Sequence, residues 1–126
     1  MGVLWVGLGG FVGAVLRYLI GLAVPVGEGT FPVATFAVNL VGSFAIGFIV
    51  GAVEARPGAL SSEMVLFLKT GVCGGFTTFS TFSLETLQLF ERGAWALGGA
   101  YAAASLACCV VGVLLGRCAA LRLLGE

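Results

Sequence analysis

The sequence predicts an all-α integral membrane protein with four transmembrane helices, and two observations carry this prediction. First, 60% of its 126 residues are hydrophobic and only 10% are charged, whereas a soluble domain carries about 25% charged residues. Second, four apolar stretches are each long enough for the ~20 residues that cross the hydrocarbon core of a bilayer. A chain this short cannot bury so much apolar surface in a core of its own. We therefore expect a lipid bilayer to be its solvent.

The predicted spans form one domain over residues 1–126 and cover about residues 3–26, 31–53, 63–90 and 94–116. Turn residues such as Arg56-Pro57-Gly58 separate them. The first span has no basic leader and is too long for a cleaved signal peptide. Pairs of glycines at GxxxG spacing occur in every span and predict close helix packing in lipid: Gly9 and Gly13, Gly47 and Gly51, Gly71 and Gly75, Gly112 and Gly116.

Composition and charge argue against several classes of protein. Without His or Asp, no usual nucleophile–base pair can be assembled, so we do not predict an enzyme. The four cysteines form no CxxC pair and are interpreted as small apolar packing residues. A net charge of zero gives no reason to expect nucleic acid as a partner.

The basic residues near the span ends set the expected orientation only weakly. The side that holds the amino terminus has four of them against two on the other side: Lys69, Arg56, Arg117 and Arg122 against Arg17 and Arg92. Such a chain could insert both ways round, and two opposed copies could pair. On this signal alone, a single fixed orientation remains equally open. A bundle this small leaves little interior, so a transport pathway would require a second subunit.

The third span has an unusual middle. Two adjacent glycines, Gly74 and Gly75, precede five hydroxyl residues within residues 77–83. This pattern predicts a helix break at Gly74-Gly75, because discontinuous helices at membrane depth lie beside cavities, where they bind ions. The alternative is a glycine kink whose hydroxyl groups bond to backbone carbonyls four residues earlier.

Two phenylalanines in this segment are candidates for lining an anion path. Phe79 and Phe82 are three residues apart and share one face of a helix. Aromatic edges are electropositive, and the hydroxyl groups of Thr78, Ser80 and Thr81 can donate hydrogen bonds to an anion. The alternative interpretation is ordinary packing of two aromatic rings.

Isolated polar residues mark the other spans. Asn39 lies mid-span and serves either as interhelical glue or as a functional donor. Arg17 is a cation within a span, where it faces a cavity, pairs with a partner or extends to the interface. Tyr101 and Ser105 form a short polar stripe at i, i+4 spacing, and Cys109 continues that line with a weaker donor.

The run from Gly71 to Phe82 resembles the signature of the Fluc (CrcB) fluoride channels. The segments 10–18 and 39–47 support the resemblance, which covers nearly the whole chain. It implies an antiparallel homodimer of oppositely oriented copies, with two pores between the subunits. It also implies a structural sodium ion (Na+) on the dimer axis, bound by the backbone carbonyls of Gly74 and Thr77.

The resemblance further assigns roles along the fluoride pathway. Phe79 and Phe82 would be the pore-lining rings, with Asn39 donating to fluoride beside them. Ser80 and Thr81 would add hydroxyl groups near the path.

At the ends of the pathway, the resemblance places Arg17 near the aqueous approach to the pore and a polar track at Tyr101 and Ser105. Cys109 departs from that track, which normally continues with hydroxyl groups. The implied activity is passive export of fluoride across the cell's inner (plasma) membrane. Two rivals are a small dual-topology proton-coupled multidrug transporter and a structural membrane subunit. The transporter requires a membrane-embedded carboxylate, and Glu85 is its only candidate.

Overall fold

The computed structural model describes residues 1–125, and every regular element within that range is helical. Three helices are long and apolar enough to cross a membrane, namely α1 (Gly2–Ala23), α2 (Val33–Ala55) and the last helix, Trp95–Leu124. Between them lies a third crossing, residues 62–91, which is built from shorter pieces. These are α3 (Ser62–Val65), a π-helical segment (Leu66–Cys73), α4 (Gly74–Phe76) and α5 (Phe79–Glu91), so the last helix is α6. The all-α membrane class predicted from composition is confirmed.

The third crossing is interrupted, but the predicted position of the break at Gly74-Gly75 is wrong. Gly74 is helical, with φ −65° and ψ −36°, whereas Thr77 (ψ 157°) and Thr78 (φ −148°, ψ 113°) are extended. Threonine can end one helix and begin the next because its side chain replaces lost backbone bonds. The Thr78 hydroxyl oxygen accepts the N–H of Thr81 at 3.2 Å and so caps α5. The chain therefore breaks at Thr77 and the capping residue Thr78, two and three residues beyond Gly75.

The glycines serve close packing instead, as their GxxxG spacing predicts. The helices associate as two close pairs, α1 with the first half of the third crossing and α2 with α6. A methyl group on Gly13 would collide with the Val72 carbonyl, and one on Gly47 would collide with the Val113 carbonyl. All four GxxxG motifs lie at such contacts. Within each of the two pairs, the helices are thus held together by backbone-to-backbone contact rather than by large side chains.

Ion pairs connect the chain at both ends of the bundle. Glu28, in the loop after α1, pairs with Arg92 at 3.0 Å, and Glu54 at the end of α2 pairs with Arg117 of α6 at 2.8 Å. Each pair joins segments that the four-span topology places on the same side. Both pairs are exposed, so each contributes at most about 1 kcal/mol to stability.

Most large apolar side chains of the single chain point outward. Leu4, Phe11 and Leu106 are each at least 66% exposed, although a soluble monomer rarely exposes contiguous apolar surface on this scale. Few large side chains are buried inside, and Tyr101 is the only one that is fully enclosed within the described residues. The chain is therefore stable only where lipid or another apolar surface covers its helices.

Candidate functional site

The break in the third crossing is held by the side chain of Asn39. Its Nδ2 donates to the Thr78 carbonyl at 3.1 Å, and its Oδ1 accepts the Thr78 N–H at 2.8 Å. A side-chain amide carries two N–H donors, and only one of them has a protein acceptor within residues 1–125. Asn39 therefore joins α2 to the break, and it retains one donor for a ligand.

The same arrangement frees two backbone carbonyls from their helical partners. In a continuous helix, the N–H of Thr78 would donate to the Gly74 carbonyl and that of Thr81 to the Thr77 carbonyl. Instead, Thr78 donates to the Asn39 side chain and Thr81 donates to the Thr78 hydroxyl. The predicted pair of carbonyls, Gly74 and Thr77, thus lies at the end of a helix that has lost its next turn, where the helix dipole is negative.

A cavity of about 360 Å³, here called the central cavity, lies beside the break. It brings together eight of the residues singled out from the sequence: Asn39, Gly74, Thr77, Thr78, Phe79, Phe82, Ser105 and Cys109. These residues come from α2, both sides of the break and α6. The central cavity is therefore the place where the predicted anion-lining groups and the freed carbonyls meet.

The two phenylalanine rings share a face of α5, as their spacing predicts. Their ring centroids are 5.4 Å apart with planes tilted by 47°. Phe79 is 79% exposed in the single chain, and nothing in the described chain covers its outer side. Phe82 also contacts the Tyr101 ring, with centroids 5.2 Å apart. Phe82 thus combines packing with cavity lining, whereas Phe79 makes little contribution to the core of this chain.

Arg17 and Thr81 line a second cavity of similar volume, about 360 Å³, here called the outer cavity. Thr78 lines both cavities, so the break separates them. The Nε of Arg17 donates to the Gly75 carbonyl at 3.2 Å. This contact gives the cation a partner within the span and keeps its positive charge next to the break.

Tyr101 has a different environment from the one that the polar stripe predicts. Its side chain is buried, and its hydroxyl donates to Oε2 of Glu85 at 2.7 Å. Thr35 donates to the other carboxylate oxygen of Glu85 at 2.8 Å. Tyr101 therefore binds Glu85 and does not line the central cavity. Thr35 and Glu85 line the outer cavity.

Sequence reasoning did not include Thr35 or Glu85 among the site residues, although spacing contained the signal. Thr35 lies four residues before Asn39 on α2, and Glu85 lies four residues after Thr81 on α5. Residues four apart share a helix face. Both polar side chains therefore face the same region as predicted site residues.

The hydroxyl groups of Thr77 and Ser83 donate to the carbonyls four residues earlier, those of Cys73 and Phe79. Three other hydroxyl groups form a short chain at the break, and that of Ser105 is isolated. Thr78 Oγ1 donates to Thr81 Oγ1 at 2.9 Å and lies 3.3 Å from Ser80 Oγ. Ser80 is exposed and lines neither cavity. Ser105 lines the central cavity, and its buried hydroxyl has no hydrogen-bond partner within residues 1–125.

These features define a multi-span helical membrane protein with a discontinuous helix at membrane depth, the kind of element that binds ions. The chain belongs to the CrcB-like protein family (Camphor Resistance, CrcB), which matches residues 4–117. The resemblance seen in the Gly71–Phe82 motif is thereby confirmed. Family membership and the membrane-spanning helices make it a multi-pass protein of the inner membrane.

Curated relatives from distant organisms share nearly the whole length of the chain. A protein of Agrobacterium fabrum is 51% identical over 112 residues, which cover 88% of this chain and 89% of the relative. One from Chlorobaculum tepidum is 51% identical over 119 residues, covering 91% and 94%. One from Methanococcus maripaludis is 44% identical over 119 residues, covering 94% and 95%. Each of these relatives is named a fluoride-specific ion channel, FluC, which is the name of a channel and not of an enzyme.

Proposed function

We propose that this protein is a fluoride-selective channel that conducts fluoride passively down its electrochemical gradient. The observation that carries the proposal is the central cavity, where the amide of Asn39 and the rings of Phe79 and Phe82 meet beside a helix break. The relatives that are 51% identical to the chain and named fluoride-specific channels support it.

The chemistry of these groups suits a small, strongly hydrated anion. A pore must replace the water around fluoride with short hydrogen-bond donors, yet binding must remain weak enough for the ion to leave. The free N–H of Asn39 and the hydroxyl chain at Thr78 and Thr81 supply donors. The positive edges of Phe79 and Phe82 add weaker attraction. Because these groups are neutral, they stabilise the anion without trapping it.

The break also offers one site for each sign of charge. The N-terminal end of α5 carries positive partial charge, and the carbonyl end before the break carries negative partial charge. Fluoride would be stabilised on the α5 side, where the phenylalanines begin. The carbonyls of Gly74 and Thr77 would hold a sodium ion, because unwound backbone carbonyls are typical Na+ ligands in membrane proteins. Bound there, the sodium ion would attract fluoride through its positive charge, and that charge would not depend on the protonation of a side chain.

A second copy in the opposite orientation would complete the pathway. Phe79 is exposed in one chain, and two carbonyls are fewer than the roughly six or more oxygen ligands that hard cations such as Ca²⁺ and Mg²⁺ take. The weak 4-to-2 charge bias allows insertion both ways round. To test this, Gly27→Cys or Ala59→Cys is introduced into a Cys118→Ser chain, since both loop residues are exposed and lie on opposite sides. An impermeant thiol reagent should label each site from both faces of the membrane. Labelling from a single face would rule out the antiparallel dimer.

Fluoride efflux from liposomes tests the channel itself. Vesicles loaded with potassium fluoride should release it when valinomycin carries the counter-charge, and release should continue without a proton gradient. Chloride should leave far more slowly from matched vesicles. Strict dependence on a proton gradient would favour the proton-coupled transporter, and equal chloride release would contradict fluoride selectivity. In the cell, such a channel would export fluoride that enters as the neutral acid and ionises inside.

A further inference from the structure

Two cysteines line the central cavity, although the proposed conduction uses neither thiol. Cys73 ends the π-helical segment and is buried, and Cys109 lies half-buried on α6. Cys108 and Cys118 are also free thiols, but neither lines this cavity. The chain therefore holds two cysteines at the cavity and two elsewhere, which act as internal controls.

A second, independent feature of the same cavity points to a ligand. Ser105 lies four residues before Cys109 on α6, so both side chains project from one helix face. Ser105 is only 6% exposed, and its hydroxyl oxygen is buried without a hydrogen-bond partner within residues 1–125. Buried hydroxyl groups in proteins are nearly always paired. An unpaired hydroxyl on the same wall as a thiol is suited to a bound ion.

We propose that Cys109, together with Cys73 and Ser105, forms a site for soft, thiophilic cations such as mercury(II) within the central cavity. Thiolate sulfur is the ligand that soft metals prefer, and the cavity of about 360 Å³ has ample room for one ion. The effect on flux rests on the proposed function. A mercury atom fixed on Cys109, in the cavity that Phe79 and Phe82 also line, would fill the pathway and so close the channel.

The reaction with mercuric chloride is a ligand exchange without oxidation or reduction. The S–H bond of Cys109 and one Hg–Cl bond break, an S–Hg bond forms, and a proton and a chloride ion leave to water. If the Cys73 sulfur then displaces the remaining chloride, a second proton and a second chloride ion leave and the metal is held between two sulfurs. The two products have different masses, because the first retains one chloride and the second none.

The test starts from the variant Cys108→Ser/Cys118→Ser, which removes the thiols outside the cavity. Fluoride efflux from liposomes is measured before and after mercuric chloride, and each variant is normalised to its own untreated rate. Intact mass is measured separately on protein in detergent. We expect a single mercury per chain, loss of most of the flux, and recovery when excess dithiothreitol removes the metal.

Replacing the cavity thiols should then identify the ligands. Adding Cys109→Ser to this background should prevent both the mass adduct and the inhibition, whereas Cys73→Ser alone should convert the product to the form that retains chloride. If inhibition persists without Cys109, or if the Cys108→Ser/Cys118→Ser chain forms no adduct, the proposed mercury site at Cys109 is wrong. If an adduct forms at Cys109 but flux is undiminished, the proposal that bound mercury closes the channel is wrong. Failure of the proposed function would look different, because the untreated protein would then release no fluoride while still forming the adduct.

Discussion

The side-chain amide of Asn39 pairs with both backbone groups of Thr78, donating to the carbonyl at 3.1 Å and accepting from the N–H at 2.8 Å. This pairing satisfies the backbone at Thr78, one of the two residues where the helical pattern fails. From the sequence, interhelical glue and a functional donor were equally good interpretations of Asn39. The structure demonstrates the first role, and the unused N–H of the amide leaves room for the second.

Replacing Asn39 by leucine should therefore lower stability as well as flux. Asn39→Leu leaves the Thr78 N–H and carbonyl unpaired at membrane depth, and each unsatisfied group costs about 1–3 kcal/mol. We expect a lower thermal midpoint in detergent and little fluoride efflux. Val41→Leu is the matched control, because Val41 is exposed on the same helix and should behave like the parent. An Asn39→Leu protein with parental stability would show that the pairing of Asn39 with Thr78 does not stabilise the fold.

The two phenylalanines should separate cavity lining from packing. Phe→Leu removes the electropositive ring edge but keeps most of the apolar volume. If each ring lowers the barrier to passage of the ion by ~1.4 kcal/mol, its loss lowers flux about tenfold. Phe79→Leu should do so without lowering stability, since Phe79 is 79% exposed in the chain. Phe82→Leu should also lower the thermal midpoint, because its ring contacts Tyr101.

The measurement compares flux per folded protein with the yield of the proposed dimer for each phenylalanine variant. Leu84→Ala is a useful control, since Leu84 is exposed on α5 and lines neither cavity. Parental flux in folded Phe79→Leu and Phe82→Leu proteins would contradict a role of the ring edges in conduction and would leave the fold assignment intact.

The sequence predicted the helical class and the shared face of the phenylalanines, because both follow from composition and helical periodicity. It misplaced the break, since glycine was taken as the weakest point of the helix. Gly74 stays helical and Gly75 faces the backbone of Gly10. What decides the break is a tertiary contact, the pairing of Thr78 with Asn39, and no local pattern reveals a partner 39 residues away.

The environment of Glu85 shows the same limitation. From the sequence, Glu85 was a lone carboxylate near the end of a span, and its only predicted role was as the proton carrier of the rival transporter. In the fold it accepts hydrogen bonds from Thr35 and Tyr101, which lie on two other helices. Helical spacing could place each residue on a face, but only the packing of α2, α5 and α6 brings the three together.

The hydroxyl of Tyr101 should stabilise the protein through the charge of Glu85. Tyr101→Phe keeps the ring contacts with Phe31 and Phe82 and removes only the hydrogen bond. Bonds to a charged acceptor contribute about 1.5–3 kcal/mol, against about 0.5–1.5 kcal/mol for neutral pairs. We therefore expect a clear fall in the free energy of unfolding of Tyr101→Phe, and a smaller one when Glu85→Gln is already present.

A double-mutant cycle measures this coupling. Unfolding is followed for the parent, Tyr101→Phe, Glu85→Gln and the double variant in the same detergent. If Tyr101→Phe lowers the free energy of unfolding equally in the parent and in Glu85→Gln, the charge of Glu85 does not contribute to the stabilisation by the Tyr101 hydroxyl. Thr35→Val provides a second hydroxyl deletion at the same carboxylate and should give coupling of the same sign.

The neighbouring glycines at the break should respond in opposite ways to an added methyl group. A Cβ atom on Gly75 would lie 2.5 Å from the Gly10 carbonyl oxygen, whereas one on Gly74 would find nothing within 4 Å. Gly75→Ala should therefore destabilise the single chain, since overpacking of this kind costs about 1–3 kcal/mol. Gly74→Ala should fold normally as a single chain, because its own helix is regular and its methyl group meets open space.

A loss of dimer in Gly74→Ala, with the single chain folded, would then be assigned to the proposed second copy, which makes this variant a probe of the proposed dimer axis. We expect it to lower dimer yield and the sodium dependence of flux, while helix content by circular dichroism stays parental. Gly99→Ala is the control, since its Cβ also meets nothing within 4 Å but lies on α6, away from the break. Dimer yield and sodium dependence equal to those of Gly99→Ala would contradict placement of the Gly74 carbonyl at the subunit interface. Conversely, loss of the dimer in Gly74→Ala alone, with its folded helices intact, would place the open side of the break against the partner subunit.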